Sequence, residues 1–113
     1  MLLFVYGTLK KGCNNHRLLE ELGAKYFGRA TARGYTIIVD IIPFMYPAPQ
    51  NCSVEGEVYE VPGEAIPELD DFEYGYVRLP IRVELESGEE VEAHAYLADD
   101  TPLDQCIISK YTC

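Results

Sequence analysis

Three acids near residue 70 are the residues whose types and spacing point most directly to chemistry. They are Asp70, Asp71 and Glu73. On a helix, at about 100° per residue, Ile66, Leu69 and Phe72 fall within one arc of roughly 120° and form a buried stripe. Glu73 lies inside the same arc, whereas Asp70 lies near its margin. We therefore predict that Glu73 is the acid that points toward the protein interior.

A carboxylate in that position is a candidate general base. Loss of solvent raises the pKa of a carboxyl group and brings it toward the pH at which the group can take a proton and return it. The alternative is a structural role, in which Arg78 or Arg82 pairs with Glu73 or the side chain is exposed at a frayed helix end. The helical spacing alone leaves both interpretations open.

The second candidate is the loop Tyr6-Gly7-Thr8-Leu9, which follows the apolar run Leu2–Val5. A short, continuous apolar run is typical of a strand that is buried on both faces. Gly7 allows a sharp turn and the close approach of another group to the backbone. Successive N–H groups in such a turn can bind an anion, especially near the start of a helix. The alternative is an ordinary turn that leaves the strand.

A third possibility is a nucleophile and base formed by Cys13 and His16, which are three residues apart. The sequence supplies no third group to orient this pair. The four cysteines include no C-x-x-C pair, and together with the two histidines they lack the spacing of a zinc site. We predict free thiols, as is usual in the cytosol, although the even number of cysteines permits disulfides.

The size and charge of the chain limit the classes of function. A length of 113 residues predicts one domain over residues 1–113. Nineteen acids against nine bases give a formal charge of −10, which argues against nucleic acid or an anionic membrane as a partner. The first apolar run is too short for a membrane span and lacks the features of a signal peptide, so we expect a cytoplasmic protein.

Strand patterns alternate with two helical ones, and these elements must position the candidate residues. The first helix is predicted over residues 16–22, capped by Asn14 or Asn15 and closed by Gly23. The second is predicted from Glu64 to about Glu73, with Pro67 in its first turn.

The remaining segments alternate apolar and polar residues or carry turn residues. We predict one bent strand or two strands over residues 25–40, with a bulge near Gly34 in the first case. Three prolines predict an extended loop over residues 41–50. Further predictions are a strand over 53–61 and a hairpin of 78–86 with 90–97 around Ser87-Gly88. The pattern of the tail is ambiguous, and one short helix over 103–111 is compatible with it.

Three blocks of sequence together resemble the gamma-glutamylcyclotransferase-like family, which includes gamma-glutamylamine cyclotransferases and AIG2-like proteins. The family opens with a strand that runs into Tyr-Gly-(Thr/Ser)-Leu, has a central V-x-G-E-(L/V)-Y-E-V strand, and then has L-D-x-x-E before Y-x-R-x-x-V-x-V. The matching segments here are Val5–Leu9 with Asn15-His16 downstream, Val54–Val61, Leu69–Glu73 and Tyr76–Val83.

The resemblance implies a mixed α/β (α+β) fold, a small mixed β-barrel flanked by short helices with a cavity between the first loop and Glu73. In the family's reaction, the α-amine of a γ-glutamyl group attacks its own γ-carbonyl, which releases 5-oxoproline and an amine. Glu73 would be the general base, the backbone N–H groups of Tyr6, Gly7, Thr8 and Leu9 would bind the substrate, and Tyr96 would help to orient it.

The resemblance also implies what accompanies the reaction. Ring closure within one molecule depends on positioning, so no metal or cofactor is expected, and the partner is a small γ-glutamyl molecule. A monomer or a homodimer is compatible with the pattern. The alternative is a non-catalytic member that binds a small ligand or a partner on the same fold. Departures from the family pattern at Tyr46-Pro47-Ala48 and Glu73-Tyr74-Gly75-Tyr76 border the expected pocket and bear on substrate choice.

Overall fold

The computed structural model describes residues 1–113 and contains seven strands, two short α-helices and one 3₁₀ turn, Gly63–Ala65, which leads into the second helix. In chain order these elements are β1 (Leu2–Val5), α1 (His16–Glu21), β2 (Lys25–Arg33), β3 (Tyr35–Asp40), β4 (Ile42–Pro47), β5 (Ser53–Glu60), α2 (Ile66–Phe72), β6 (Val77–Leu85) and β7 (Glu90–Leu97). No helix in the structure combines the length and the apolar character that crossing a membrane requires.

Five of the strands close into a barrel in the order β1-β5-β2-β6-β7. All neighbours are antiparallel except β1 and β7, which run parallel and meet where Leu3 lies opposite His94. The barrel is therefore mixed, and the predicted fold is confirmed.

The first strand contributes to two separate cores because its side chains alternate between the two faces of the barrel wall. Phe4 and Tyr6 pack inside the barrel, whereas Leu3 and Val5 pack outside it against the helices. All four are buried, so the predicted strand with two buried faces is confirmed. This double anchorage holds in place the end of β1, from which the candidate loop begins.

Both helices form close to their predicted bounds. Gly23 ends α1 with a φ of 82°, a conformation that glycine adopts without strain. Pro67 lies in the first turn of α2, where its missing N–H costs no helical bond. One detail of the prediction is wrong: Ile66 and Leu69 are buried, but Phe72 is 45% exposed because the helix ends there.

The proline-rich segment is a strand, so the predicted loop over residues 41–50 is wrong. β4 pairs with β3 in a separate two-stranded hairpin, and residues 25–40 therefore form two strands. Pro43, Met45 and Pro47 are every second residue of β4, so their backbone nitrogens lie on the same edge of the strand. On that edge the Met45 N–H donates to the Tyr6 hydroxyl rather than to β3. Prolines on that side of the strand remove no hydrogen bond from the hairpin. The bulge in β2 lies between Tyr26 and Gly28 rather than near Gly34.

The C-terminal segment is not helical, so the short helix that the ambiguous tail pattern allowed over residues 103–111 does not form. Its backbone instead pairs with β3 and with β5, through bonds from Ile37 N–H to the Ile108 carbonyl and from Glu55 N–H to the Ser109 carbonyl. These bonds satisfy main-chain groups that a helix would have satisfied internally.

The prediction of free thiols is also wrong. Disulfides join Cys13 to Cys113 and Cys52 to Cys106, across 100 and 54 residues, and no cysteine is free. They fix the C-terminal segment at both of its ends. Disulfides are most frequent in oxidising compartments, and the cytoplasmic location stays a prediction.

Candidate active site

A cavity of about 170 Å³ opens between the loop that follows β1 and the C-terminal end of α2. All six residues predicted for the site, Tyr6, Gly7, Thr8, Leu9, Glu73 and Tyr96, line it. The hairpin tip and the segment after α2 complete the wall. The additional lining residues are Phe4, Val5, Asn15, Ile42, Pro43, Phe72, Tyr74 and Tyr76.

The loop of residues 6–9 keeps its backbone donors free. None of its four N–H groups donates a hydrogen bond within the protein. The loop is held instead through its acceptors: the Gly7 carbonyl accepts from Lys10 N–H at 3.1 Å, and the Thr8 carbonyl accepts from Asn15 N–H at 3.0 Å. The Asn15 side chain, which caps no helix N–H, donates to Thr8 Oγ1 at 2.9 Å. A fixed loop with free donors is suited to binding an anionic group.

Gly7 is required by the hairpin that packs over the loop. A Cβ atom at this position would lie 2.7 Å from Cγ of Pro43, closer than side chains tolerate. The predicted close approach to the backbone at Gly7 is therefore made by Pro43, which itself lines the cavity. Any larger residue would push the hairpin tip away from the loop.

The side chain of Tyr6 has a structural position. Its hydroxyl donates to the Tyr96 carbonyl and accepts from Met45 N–H, so it joins β1, β4 and β7. Burial raises the pKa of this phenol well above its ordinary value, which keeps it protonated. The Tyr6 hydroxyl is thus engaged in holding these strands together.

Glu73 caps α2 at the point where the helix ends. Its N–H donates to the Leu69 carbonyl at 2.9 Å, which fixes the backbone, while its half-buried carboxylate has no hydrogen-bond partner or ion pair within the protein. Burial raises the pKa of the Glu73 carboxyl to about 7. The structural interpretation, in which Arg78 or Arg82 pairs with Glu73, is therefore wrong.

Arg78 pairs with Asp70 instead. Arg78 Nε lies 2.9 Å from Asp70 Oδ1, and Arg78 Nη1 lies 3.0 Å from Nδ1 of His94. Tyr96 donates its hydroxyl to the same Asp70 oxygen at 2.7 Å. The hydrogen bond from Arg78 is the main reason that the pKa of Asp70 is lowered. Tyr96 therefore reaches the cavity with its hydroxyl proton already engaged.

Tyr76 is a residue of this site that the sequence prediction did not assign. Its hydroxyl donates to the Pro43 carbonyl at 2.8 Å, and its ring stacks on Phe44 at a centroid distance of 5.0 Å. These contacts join the segment after α2 to the hairpin tip. The available signal is its place in the Glu73-Tyr74-Gly75-Tyr76 segment, which follows the end of α2 and departs from the family pattern, but the residues that it contacts lie on β4, where the sequence predicts a loop.

The proposed pair of Cys13 and His16 is excluded. The Cys13 sulfur is bonded to Cys113, and His16 Nδ1 lies 2.9 Å from the Leu9 carbonyl with its ring against Tyr59. Neither residue lines the cavity.

Comparison with known proteins places this geometry in a family. The family model described as gamma-glutamyl cyclotransferase, AIG2-like, matches residues 3–111. A relative from Methanocaldococcus jannaschii is 35% identical over 98 residues, which are 83% of this chain and 81% of the relative. Human gamma-glutamylaminecyclotransferase is 41% identical over 96 residues, 74% of this chain and 62% of the human protein.

A solved structure shows the same fold. The crystal structure of an AIG2-like protein from Mus musculus superimposes with a TM-score of 0.76 at 31% identity, over 85% of this chain and 75% of the mouse protein. The family match extends over nearly all of the barrel, the hairpin and the candidate site. The chain belongs to the gamma-glutamyl cyclotransferase, AIG2-like, family.

Proposed function

We propose that this protein is a cyclotransferase that releases 5-oxoproline from γ-glutamyl compounds, with Glu73 as the general base. The observation that carries the proposal is one arrangement: an unpaired, half-buried carboxylate with a pKa of about 7 shares a small cavity with a four-residue loop whose backbone N–H groups make no hydrogen bond within the protein. Carboxylates with a pKa near the working pH are suited to proton transfer, and free N–H groups are suited to holding negative charge. The name of the human relative supports the same chemistry.

The proposed reaction balances without an additional reactant. The carboxylate of Glu73 takes one proton from the substrate's α-ammonium group, and the resulting amine attacks the γ-carbonyl carbon. The new C–N bond closes a five-membered ring, and the carbonyl electrons move onto oxygen. Glu73 then gives its proton to the departing nitrogen as the old amide C–N bond breaks and the carbonyl re-forms. The ring nitrogen still carries one proton more than the product does, and it gives that proton to the regenerated Glu73 carboxylate, which passes it to the released amine. The products are 5-oxoproline and the ammonium form of the departing amine.

The loop of residues 6–9 and Tyr96 have positioning roles in this proposal. The N–H groups of the loop hold either the substrate's carboxylate or the oxyanion of the tetrahedral intermediate. Because both reacting groups belong to one molecule, holding that molecule in a folded conformation supplies much of the rate increase. Tyr96 Oη donates its proton to Asp70 and offers its lone pairs to the cavity, where they accept from the α-ammonium group.

The deciding experiment measures 5-oxoproline after incubation of the purified protein with γ-glutamyl amides, γ-glutamyl amino acids and γ-glutamyl-ε-lysine. Glu73→Gln keeps the shape of the side chain and removes the base, so we expect kcat/KM to fall by about 10²–10⁴-fold. Glu68→Gln is the matched control, since it changes an exposed glutamate of the same helix, and should act within about twofold of the unmodified protein.

Two results would remove the catalytic assignment. One is the absence of 5-oxoproline with every substrate, and the other is equal activity of the Glu73→Gln variant. Binding of a γ-glutamyl compound without turnover would instead favour the alternative, a small-ligand-binding member of the family.

A further inference from the structure

The C-terminal strap, defined as residues 106–113, is joined to the turn that follows the candidate loop. Cys113 of the strap is bonded to Cys13 of this turn. The Tyr111 carbonyl of the strap also accepts a hydrogen bond from Lys10 Nζ. One covalent bond and one hydrogen bond therefore hold the turn against the strap.

The same turn supplies the hydrogen bonds that hold the candidate loop in place. The Lys10 N–H donates to the Gly7 carbonyl, and the Asn15 N–H donates to the carbonyl of Thr8. Cys13 lies between these two donors in the chain, and its own N–H donates to the Lys10 carbonyl at 3.0 Å. A displacement of Cys13 would therefore reach the loop through short backbone connections.

The disulfide of this turn lies where a dissolved thiol can approach it. Cys113 is exposed, and both Cys13 and Cys113 line an open groove of about 1120 Å³. Cys106 is exposed as well, but neither it nor Cys52 lines this groove, and Cys52 is 2% exposed. Because thiol–disulfide exchange begins with attack of a thiolate on one sulfur, the groove offers a route to Cys113.

The other end of the strap would remain anchored after the Cys13–Cys113 bond opens. Cys106 is bonded to Cys52, and the N–H groups of Ile107 and Ile108 donate to a side-chain oxygen of β3 at 2.7 and 3.2 Å. The freed thiol at the far end of the strap would thus stay close to its partner. Closure of the bond within one chain is favoured by this proximity, so the exchange can be reversible.

We propose that the Cys13–Cys113 disulfide is a site of reversible thiol–disulfide exchange with a dithiol, and that it controls the order of the candidate loop. The first thiolate of the dithiol bonds to Cys113 Sγ, the protein's S–S bond breaks, and Cys13 leaves as a thiolate. The second thiolate then attacks the reagent's own sulfur in this mixed disulfide, which releases the Cys113 thiolate. Two electrons pass to the protein, the two protons of the dithiol end on Cys13 and Cys113, and the reagent becomes a disulfide.

The expected consequence is weaker binding of the substrate in the reduced protein. Without the bond to the strap, the turn and the loop that it holds become more mobile. The loop positions the substrate, whereas Glu73 belongs to a different element, so kcat/KM should fall about tenfold, mainly through a higher KM. The effect on the reaction rests on the proposed function, but the effect on the order of the turn does not.

A titration with reduced and oxidised dithiothreitol compares 5-oxoproline release with the state of each cysteine, measured by alkylation and mass spectrometry. We expect kcat/KM to fall in step with alkylation of Cys13 and Cys113 and to recover on reoxidation. The double variant Cys13→Ser, Cys113→Ser should have the lower value at every ratio. The matched control, Cys52→Ala with Cys106→Ser, should still respond. Activity that is unchanged once Cys13 and Cys113 are alkylated, or that follows only the other pair, would overturn the proposal.

Hydrogen exchange followed by mass spectrometry separates release of the turn from general unfolding. Reduction should raise the exchange of residues 10–16 and leave the exchange of β6 and β7 unchanged. An equal rise throughout the protein would show that the disulfide stabilises the whole fold and does not control the loop. No rise over residues 10–16 would also contradict the proposal.

Binding of γ-glutamylmethylamide to the Glu73→Gln variant distinguishes this proposal from the proposed function. Calorimetry should show about tenfold weaker binding after reduction. If the unmodified protein releases no 5-oxoproline but this difference holds, the proposed reaction fails and control by the disulfide stands. If 5-oxoproline is released equally well in both redox states, the reaction stands and control by the disulfide fails. Equal binding in the two states, or none in either, would likewise overturn it.

Discussion

Two carboxylates at the C-terminal end of α2 lie three residues apart and have opposite surroundings. Asp70 accepts hydrogen bonds from Arg78 and Tyr96, and the pKa of its carboxyl is lowered. Glu73 has no partner within the protein, and burial raises the pKa of its carboxyl to about 7. One acid is held in its charged form, and the other can exchange a proton near neutral pH.

The contrast arises from where the helix ends. Asp70 is still helical and faces β6 and β7, from which Arg78 and Tyr96 reach it. Glu73 lies at the helix end and faces the loop after β1 instead. A pair of acids whose environments move their pKa values apart is a common way to separate a structural charge from a proton carrier. Arg78 is thus committed to Asp70, and Glu73 has no ion-pair partner.

The largest effect that tests this contrast is the dependence of the rate on pH. Glu73 must be deprotonated to act as a base, so kcat/KM should fall about tenfold for each pH unit below the Glu73 pKa of about 7. Measuring 5-oxoproline release between pH 5 and pH 8 gives the midpoint. The Asp70→Asn variant should keep that midpoint near 7, because burial rather than Asp70 raises the pKa of Glu73.

A flat profile across this range would contradict the assignment of Glu73 as the base. A midpoint that moved with Asp70→Asn to the pH range of an ordinary carboxyl would show that the two acids are coupled. The contrast between them would then be incomplete.

The contributions of Glu73 and Asp70 to the free energy of unfolding should change with pH in opposite directions. The folded-state pKa of Glu73 lies above its ordinary value of 4.5, so the folded protein binds this proton more tightly than the unfolded chain does. The free energy of unfolding therefore falls as pH rises from about 4.5 to 7, by roughly 1–3 kcal/mol. Urea titrations at pH 4.5 and pH 8 should show this loss in the unmodified protein but not in Glu73→Gln.

The control for that measurement is Glu68→Gln, whose exposed side chain should leave the difference between the two pH values unchanged. If Glu73→Gln showed the same loss of stability between pH 4.5 and pH 8 as the unmodified protein, the carboxylate would not be desolvated in solution.

The inward direction of Glu73 followed from helical spacing, and its lack of a partner did not. The sequence offers Arg78 and Arg82 within reach of three acids, and a long arginine side chain can pair with any of them. The choice depends on the register of β6 against β7, which places Arg78 opposite Tyr96 and beside Asp70. The turn at Ser87-Gly88 sets this register locally, but the packing of α2 against the hairpin, which brings Asp70 to Arg78, exists only in the folded chain.

The barrel and the first loop were predictable because their signals are local or belong to the family pattern. The hairpin over residues 35–47 was not predictable, because prolines usually interrupt strands. Here Pro43 and Pro47 lie at positions of β4 whose N–H groups point away from β3, and that direction is evident only once Met45 N–H is seen to donate to the Tyr6 hydroxyl. The disulfides were missed for a related reason. Their cysteines are 100 and 54 residues apart, and their proximity exists only in the folded chain.

The smallest predicted effect belongs to the ion pair itself. The side chains of Arg78 and Asp70 are 26% and 42% exposed, so solvent weakens their attraction. A double-mutant cycle with Asp70→Asn and Arg78→Gln should give a coupling free energy of about 0.2–1 kcal/mol at pH 7. Because the pKa of Asp70 is lowered on folding, this stabilisation is present above its ordinary pKa of 3.8 and is lost as pH falls through the lower folded-state value.

Activity separates the two acids most clearly in this last comparison. In Asp70→Asn the amide oxygen can still accept from Tyr96, so the lining of the cavity is retained and kcat/KM should stay within about threefold. Glu73→Gln has the opposite profile, with a large loss of activity and no loss of stability at pH 8. If Asp70→Asn lost as much activity as Glu73→Gln, the network of Asp70, Arg78 and Tyr96 would belong to the proton-transfer machinery. The division of roles between the two carboxylates would then be wrong.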